Sequence, residues 1–395
     1  MDYRVNGLLH RVAEPPIAEA HSWIRARRFP AEKPLIDVAQ AVPGYPPPPA
    51  LTQHLAAVIP SPETARYTEI EGVPSLREAL AAHMSAFYGA SIAAPQVAIT
   101  AGCNQAFCLA LMTLAGAGDE VILPLPYYFN HQMWLDMLGI AAVHLPFRAD
   151  RGGVPDPAEA ARLIRPKTRA IVLVSPNNPT GAVYPEETIA AFRDLAAAHG
   201  IALVLDETYK DFLADAEPPH RLFAAPDWPG TLIQLYSFSK VYCLTGYRVG
   251  AIIAAPEFIA EIAKAMDCVA ICAPRIGQEA ALYGLTHLAA WREQNRLLMK
   301  ERVAALRAAF AARSTGYDLV SSGAYFAYLR HPFAGSSARA VAQRLAEEEN
   351  MLCLPGSMFG PGQEAYLRFA FANVAAERME EIADRLGRSA RLNRL

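Results

Sequence analysis

The feature that most constrains the fold is a series of short apolar runs that alternate with amphipathic stretches between about residues 50 and 255. The runs at 171–174 and 201–205 are apolar at consecutive positions, so a strand formed there must be covered on both faces. Strands of this kind, separated by helical stretches, are typical of a parallel sheet with helices on each side. The sequence therefore predicts an α/β fold with a mostly parallel sheet flanked by helices.

The predicted elements divide the chain into two units. The predicted strands of the sheet cover residues 97–100, 120–123, 141–145, 170–174, 201–205, 232–236 and 248–254. A charged helical stretch at 278–312 is expected to form one long connector, and strands at 323–329 and 366–371 predict a smaller α+β domain beyond it. We predict a large domain at residues 46–282 and a small domain formed by 1–45 together with 283–395.

Composition excludes several classes of function. The chain has 395 residues with 36 Lys+Arg against 39 Asp+Glu, so it has no basic excess with which to bind nucleic acid. No apolar run approaches the roughly 18–20 residues that span a bilayer, and residues 1–15 lack the apolar core of a signal peptide. Its six cysteines include no CxxC pair, and no HExxH motif is present, so we expect free thiols, no metal site and a cytoplasmic location.

Polar side chains follow several predicted strands at the point where each strand ends. These segments are Ala101-Gly102-Cys103-Asn104, Asn177-Asn178-Pro179-Thr180-Gly181, Asp206-Glu207-Thr208-Tyr209 and Ser237-Phe238-Ser239-Lys240, and Gly246-Tyr247-Arg248 comes soon after. Because ligands of open parallel sheets bind at the carboxyl ends of the strands, we expect these side chains to meet. A lysine amine, a carboxylate for a pyridinium nitrogen and donors for a phosphate are the groups that pyridoxal phosphate requires.

The same segments resemble a known family. Ser237-Phe238-Ser239-Lys240 with Gly246-Tyr247-Arg248-Val249-Gly250 is similar to the lysine signature of class I/II pyridoxal-phosphate-dependent aminotransferases, the aspartate aminotransferase superfamily. The Asn-Asn-Pro-Thr-Gly and Asp-Glu-Thr-Tyr segments resemble the same family in the same order, and the likeness runs from about residue 35 to 373. It implies the pyridoxal-phosphate-dependent transferase fold type I and a homodimer with shared active sites.

The resemblance assigns roles in the chemistry to four residues. Lys240 resembles the lysine that binds the cofactor covalently and then carries a proton between the substrate Cα and the cofactor. Asp206 resembles the partner of the pyridinium nitrogen. Tyr209 and Asn178 resemble the donors to the phenolic oxygen, and Asn178 is also expected to contact the substrate. Lys240, Asp206 and Tyr209 are the predicted catalytic residues.

Other matches imply how the cofactor and the substrate are held. The predicted phosphate ligands are Gly102, Cys103, Asn104, Ser237, Ser239 and Arg248. Tyr128 resembles the aromatic residue that stacks on the cofactor ring, and Tyr67 resembles the tyrosine that reaches the phosphate of the neighbouring subunit. Arg368 resembles the arginine that binds the substrate α-carboxylate.

The sequence departs from the family pattern at three points. Ala41 stands where the family often has glycine in a turn that contacts substrate, and Cys103 stands where a small residue is common. We find no clear second arginine for a side-chain carboxylate, so a dicarboxylate substrate is not supported. Apolar and aromatic side chains near Tyr45 and Tyr128 favour a neutral substrate.

The main prediction is an aminotransferase that moves the amino group of a 2-amino acid to a 2-oxo acid by a ping-pong mechanism. Three alternatives compete with it. Ser237 and Lys240 also match the SxxK motif of serine β-lactamases, but no KTG motif follows. A ligand-sensing regulator would need a DNA-binding module, for which the residues before Leu35 are too few. The third alternative, another Cα-carbanion enzyme on the same scaffold (a β-eliminating lyase, racemase or amino-acid oxidase), stays open, because the motifs do not distinguish these outcomes.

Overall fold

Strands and helices alternate through the computed structural model, which describes residues 3–392. The strands of these residues are β1 (Ile36–Asp37), β2 (Val97–Thr100), β3 (Glu120–Pro124), β4 (Ala141–Leu145), β5 (Thr168–Val174), β6 (Ala202–Asp206), β7 (Leu232–Ser237), β8 (Gly250–Ile253), β9 (Asp318–Gly323), β10 (Phe326–Arg330), β11 (Met351–Leu352), β12 (Leu354–Pro355) and β13 (Tyr366–Ala370). The α-helices are α1 (Gly7–His10), α2 (Pro16–Ser22), α3 (Pro49–Val58), α4 (Pro74–Tyr88), α5 (Cys103–Leu114), α6 (Phe129–Leu138), α7 (Pro157–Ala161), α8 (Glu186–Ala198), α9 (Phe238–Val241), α10 (Pro256–Ala270), α11 (Arg275–His287), α12 (Ala289–Ala312), α13 (Ala338–Glu349) and α14 (Met379–Leu392).

A seven-stranded central sheet has the order β2-β8-β7-β6-β5-β3-β4. Strand β8 is antiparallel to both of its neighbours, and the remaining pairs are parallel. One face is covered by α4, α8 and α11, and the other by α5, α6 and α10, each through its own apolar cluster. The predicted mostly parallel sheet between two helical layers is therefore confirmed.

A second unit is built on a four-stranded antiparallel sheet with the order β12-β13-β10-β9. Its apolar cluster combines residues of α12, α13 and α14 with Ile36 of β1. Strand β1 pairs in parallel with β11, so the N-terminal segment joins this α+β unit. The domain boundaries stay a prediction, and residues 1–2 and 393–395 of the predicted small domain lie outside the described residues.

The structure differs from the predicted elements at three places. Arg248 is not in a strand, because its φ of 52° places it in the left-handed region and β8 begins at Gly250. The predicted connector at 278–312 is two helices that meet at Leu288, where the backbone leaves the helical region with φ −109° and ψ 25°. The predicted strand at 323–329 is a hairpin, with a left-handed Ala324 between β9 and β10.

The topology brings the polar segments to one edge. Asp206 ends β6 and is aligned with Val174 of β5 and Leu235 of β7, while Ser237 ends β7. Because these strands run parallel, the residues that follow them emerge on the same side of the sheet. No helix among residues 3–392 has both the length and the apolar character needed to cross a bilayer.

We predict that Arg385→Met destabilises the fold by about 2–4 kcal/mol in urea unfolding. The buried Arg385 guanidinium donates to the carbonyl oxygens of Glu349, Asn350 and Pro34 at 2.7, 3.0 and 2.8 Å, and methionine removes these donors, although the Asn350 oxygen keeps the N–H of Ile36. The control Arg391→Met, on the exposed side of α14, is expected to change the free energy by less than about 0.5 kcal/mol. Equal effects of the two substitutions would contradict this role of Arg385.

Candidate active site

A cavity of about 360 Å³ opens where the carboxyl ends of the central strands face β13. The predicted site residues that line it are Ala41, Cys103, Asn104, Tyr128, Asn178, Asp206, Tyr209, Ser237, Ser239, Lys240, Arg248 and Arg368. Gly102 directly precedes the lining residue Cys103. Tyr67 does not line the cavity of its own chain, and 75% of its surface is exposed.

Asp206 is a buried carboxylate at the end of β6. One oxygen, Oδ1, accepts the backbone N–H of Thr208 at 3.0 Å, and the other, Oδ2, lies 3.3 Å from Nε2 of His131. The His131 ring is stacked on Phe107 at 3.8 Å between ring centres, which fixes its position. A buried carboxylate held in this way can pair with a cationic ring nitrogen in the cavity.

Lys240 lies on the short helix α9, which follows β7. Ser237 is the N-cap of this helix, since its Oγ accepts the backbone N–H of Ser239 at 3.2 Å. The Lys240 amine donates to the carbonyl oxygen of Ala41 at 2.6 Å. Burial, together with the positive charges of Arg248 and Arg368, lowers the pKa of Lys240 to about 8. The amine therefore loses its proton more readily than a lysine in water.

Arg368 is a buried cation with incomplete hydrogen bonding. Its guanidinium donates to the carbonyl oxygen of Ala39 and, at 3.3 Å, to Oδ1 of Asn178, while Nε has no partner. The guanidinium also lies over the rings of Phe326 and Phe359. Burial lowers the pKa of Arg368 to about 10, so the side chain is still charged at neutral pH. A buried charge in this state favours an incoming carboxylate.

The opposite end of the cavity can hold an anion. Gly102 precedes α5 with a φ of 86° and, as a glycine, has no side chain with which to cap the first N–H groups of that helix. The Arg248 guanidinium occupies the space that a side chain at position 102 would need. Ser237 and Ser239 line the same cavity. A helix N-terminus, a guanidinium and two hydroxyls are a donor set that suits a phosphate.

Two tyrosines and one cysteine that line the cavity are protonated at neutral pH. Burial, with the nearby carboxylate of Asp206, raises the pKa of Tyr128 to about 12. Burial likewise raises the pKa values of Tyr209 and Cys103 well above their usual values. Both tyrosines are therefore hydrogen-bond donors at neutral pH, and the Cys103 thiol is not a nucleophile.

Comparisons with known proteins agree with this geometry. Residues 33–386 match the family model for aminotransferase class I and II. An aspartate/prephenate aminotransferase of Thermus thermophilus is 32% identical over 332 residues, covering 82% of this chain and 84% of the relative. An arginine–pyruvate transaminase of Pseudomonas aeruginosa is 31% identical over 327 residues, covering 81% of each chain. A solved aspartate aminotransferase of Thermus thermophilus with maleate matches with a TM-score of 0.88 at 27% identity, covering 98% of this chain and all of that one. The chain belongs to the class I and II aminotransferases.

The enzyme is thus a pyridoxal-phosphate-dependent aminotransferase of fold type I, as the sequence predicted. The residues present fit that cofactor. Asp206 offers the buried carboxylate, Lys240 offers an amine of low pKa, and the N-terminus of α5 with Arg248 offers the anion site. Gly102 and Arg248 are closely packed at the anion site, so any side chain at position 102 would displace the guanidinium of Arg248.

Sequence reasoning missed several residues of this site. His131 lies in the middle of an amphipathic stretch, where a lone histidine carries no signal, and only its packing against Phe107 brings it to Asp206. Ile17 and Val42 line the cavity from the N-terminal segment. Tyr45, which was expected near the substrate, does not line it and packs edge-on to Trp291 instead.

We expect Gly102→Ala in the aminotransferase to raise the dissociation constant for pyridoxal phosphate by roughly tenfold to a hundredfold, the value of one charge-assisted hydrogen bond. The new Cβ would displace the Arg248 guanidinium. Equilibrium titration of the cofactor-free protein measures this constant. Gly89→Ala is the matched control, because Gly89 also has a left-handed φ, of 61°, but has no atom near the new Cβ. Gly89→Ala should lower stability without changing cofactor affinity, and a similar loss of affinity in both variants would refute the assignment.

The pKa of Lys240 should rise when the positive charge of Arg368 is removed. Acylation of the cofactor-free enzyme, followed by peptide mass spectrometry across pH, should show a midpoint near 8 for Lys240. Arg368→Gln is expected to move this midpoint to higher pH, because protonation of Lys240 no longer opposes a neighbouring charge. The curve for Lys264, which is exposed on α10, should be unchanged between the two proteins. An unaltered midpoint for Lys240 would mean that the two cations do not interact.

Proposed function

We propose that this aminotransferase is a cytoplasmic homodimer in which Lys240, Asp206 and Tyr209 carry the chemistry and Arg368 binds the α-carboxylate of a 2-amino acid. The observation that carries the proposal is the single cavity in which these four side chains meet. The names of the relatives include aspartate, prephenate and arginine, so family membership leaves the substrate side chain open.

Bound pyridoxal phosphate supplies an aldehyde and an electron-withdrawing ring. Asp206 would hold the ring nitrogen, because its carboxylate is buried and is kept in place by Thr208 and His131. Tyr209 and Asn178 would donate to the phenolic oxygen, since the raised pKa of Tyr209 keeps its hydroxyl protonated. Tyr128 would lie against the ring.

The phosphate would lie at the N-terminus of α5. Its donors there would be the backbone of Gly102, Cys103 and Asn104, together with the side chains of Ser237, Ser239 and Arg248. The conformation of Arg248 supports this role. Its left-handed backbone is uncommon for a residue with a side chain, and its Nη1 is oriented by the carbonyl oxygen of Thr245 at 2.9 Å.

Arg368 and Lys240 would act on the substrate. Arg368 would bind the α-carboxylate, since its buried side chain donates to Ala39 and Asn178 and has no anionic partner among the described residues, while Asn178 orients it. With a pKa of about 8, the Lys240 amine can accept the α-proton at Nζ and return it during the same turnover. Ala41 would fix the position of this amine through its carbonyl oxygen.

Two exposed loops support the proposed homodimer. Tyr67 lies in one loop and Ile271 in the other, two residues after Val269 near the end of α10, and 75, 37 and 52% of their respective surfaces are exposed. Gln278 ties their loops together, since its Nε2 donates to Thr68 Oγ1 at 3.1 Å and to the Ala273 carbonyl at 2.9 Å. An exposed apolar patch of this kind suits contact with a second copy, whose cofactor phosphate Tyr67 would reach. The six free cysteines support a reducing compartment, and hence the cytoplasm.

Mixed dimers test both the roles and the assembly. Lys240→Ala should release no 2-oxo acid from a single amino acid, and Tyr67→Ala should lose cofactor affinity and be inactive at limiting cofactor. Coexpression of the two variants should restore release of the oxo acid, because one site of each mixed dimer contains the native Tyr67 and the native Lys240. Oxo acid released per cofactor is the measurement.

The control for this experiment is Tyr3→Ala, since Tyr3 is a similarly exposed tyrosine with 73% of its surface accessible. It should keep normal cofactor affinity and gain nothing from coexpression with Lys240→Ala. If Tyr67→Ala and Lys240→Ala show only the sum of their separate activities, the shared site is refuted. If Lys240→Ala transaminates normally, its catalytic role is refuted.

A further inference from the structure

A second cavity, of about 120 Å³, adjoins the segment that follows Tyr209 and shares no lining residue with the active-site cavity. Lys210 and Asp211 line it from that segment, His83 lines it from α4 and Arg292 from α12. Its volume is well above the roughly 10–15 Å³ that one water molecule requires, so a small ion can enter it. The proposed function assigns no role to these four side chains.

Lys210 is a buried cation with unused hydrogen-bond donors. Its side chain is 0% exposed, and its ammonium has one oxygen acceptor, Oδ1 of Asp211 at 3.2 Å. The rings of Phe87 and Tyr236 lie 4.4 and 4.9 Å from Nζ. Because an ammonium carries three N–H groups, two of them have no oxygen acceptor among the described residues. Asp211 is fully engaged, since its other oxygen accepts the Tyr236 hydroxyl at 2.7 Å.

Two further nitrogen groups of the second cavity lack an anionic partner. The half-buried Arg292 donates to the hydroxyl of Tyr242 at 3.1 Å and forms no ion pair with a residue that the structure describes. Nε2 of His83 is buried and has no hydrogen-bond partner. Since a buried polar nitrogen without a partner is costly, this arrangement favours a ligand that accepts hydrogen bonds.

The other two carboxylates of the lining have cationic partners of their own. Glu293 accepts two hydrogen bonds from Arg296, at 2.7 and 2.8 Å. Asp215 lies at the surface, with 82% of its side chain exposed, and pairs with Lys300 at 3.6 Å. Arg292 therefore gives the described lining one positive charge that no carboxylate balances.

The charges around His83 create a positive potential in the cavity. Burial lowers the pKa of His83, and the charges of Lys210 and Arg292 lower it further against the opposing charge of Asp211, to about 3. Burial alone would raise the pKa of Asp211, but the same two cations hold it below its usual value. A potential that disfavours a proton on His83 favours an anion beside it.

We propose that the second cavity binds a small monovalent anion between the ammonium of Lys210, the guanidinium of Arg292 and Nε2 of His83. This site is distinct from the one that would hold cofactor and substrate, so the inference goes beyond the proposed function. The bound anion would join α4 and α12 to the short 3₁₀ helix Lys210–Phe212, which begins directly after Tyr209.

Crystals of the holoenzyme grown in sodium bromide test the site directly. The holoenzyme is used because its cofactor then fills the phosphate site. We expect an anomalous bromide peak in the second cavity of the native enzyme and a peak at least roughly tenfold weaker in Arg292→Gln, which removes the unbalanced charge. A cavity without bromide in the native crystal would overturn the proposal. This measurement on the native enzyme decides the question even if the variant does not fold.

Thermal unfolding of the holoenzyme tests binding in solution. Sodium chloride replaces sodium gluconate at constant ionic strength, because gluconate is too large for the cavity. The difference in unfolding temperature between the native enzyme and Arg292→Gln should grow with chloride and then level off, since the anion stabilises only the protein that binds it. Arg162→Gln is the control, because Arg162 is exposed at the end of α7 and does not line the cavity. Its difference from the native enzyme should stay constant.

Formate in place of chloride identifies the kind of anion. If the difference between native enzyme and Arg292→Gln grows with both anions, the cavity accepts small anions of either chemistry. If it grows with chloride alone, the cavity is a halide site. A difference that stays constant with both anions, or that changes equally for Arg162→Gln, would overturn the proposal.

Discussion

Two cationic side chains of the site, the buried Arg368 and the half-buried Lys240, donate hydrogen bonds to one short segment of backbone. The carbonyl oxygens of Ala39 and Ala41 accept hydrogen bonds from Arg368 and Lys240, side chains that come from β13 and α9. Burial removes the water that would otherwise stabilise these cations and lowers the pKa of both, and the charges of Arg248 and Arg368 lower the pKa of Lys240 further. The carbonyl dipoles offset part of that cost. The small unit, the central sheet and the N-terminal segment are thereby joined at the point where the reaction takes place.

Two neighbouring carboxylates at the end of β6 lie on opposite faces of the central sheet. Asp206 faces the cavity, and Glu207, the next residue, faces the other side of the sheet, as alternation along a strand requires. There Glu207 is fully buried and accepts hydrogen bonds from Tyr88 at 2.6 Å and from Gln234, with His220 at 3.3 Å. These partners hold the pKa of Glu207 below its usual value in spite of burial. The Glu207 carboxylate, held on the opposite face of the sheet, thus fixes the end of β6, where Asp206 lies.

Site residues at the end of a strand or directly after it could be predicted from the sequence, whereas those that reach the site by helix packing could not. Lys240 and Asp206 were predictable, because apolar runs mark β6 and β7 and the parallel topology fixes where their ends meet. His131 and Ile17 were not, since each reaches the site through helix packing that no local pattern encodes. The apolar neighbours of Arg248 predict a strand there, whereas its backbone is left-handed with a φ of 52° and β8 begins two residues later. Sequence thus predicted the sheet and the chemistry better than the part of the cavity wall that the N-terminal segment contributes.

The strand ends were more predictable than the N-terminal part of the cavity wall for a physical reason. The reacting groups lie at the rigid edge of a buried sheet, where a displacement of one strand end would disturb every neighbour. The N-terminal segment contributes Ile17 and Val42 to the cavity wall, and it contacts the small unit through the pairing of β1 with β11, two apolar clusters and the hydrogen bonds of Arg27. The N-terminal segment therefore serves both the chemistry and the cavity wall, because the carbonyl oxygens of Ala39 and Ala41 accept hydrogen bonds from Arg368 and Lys240 while Val42 lines the same cavity.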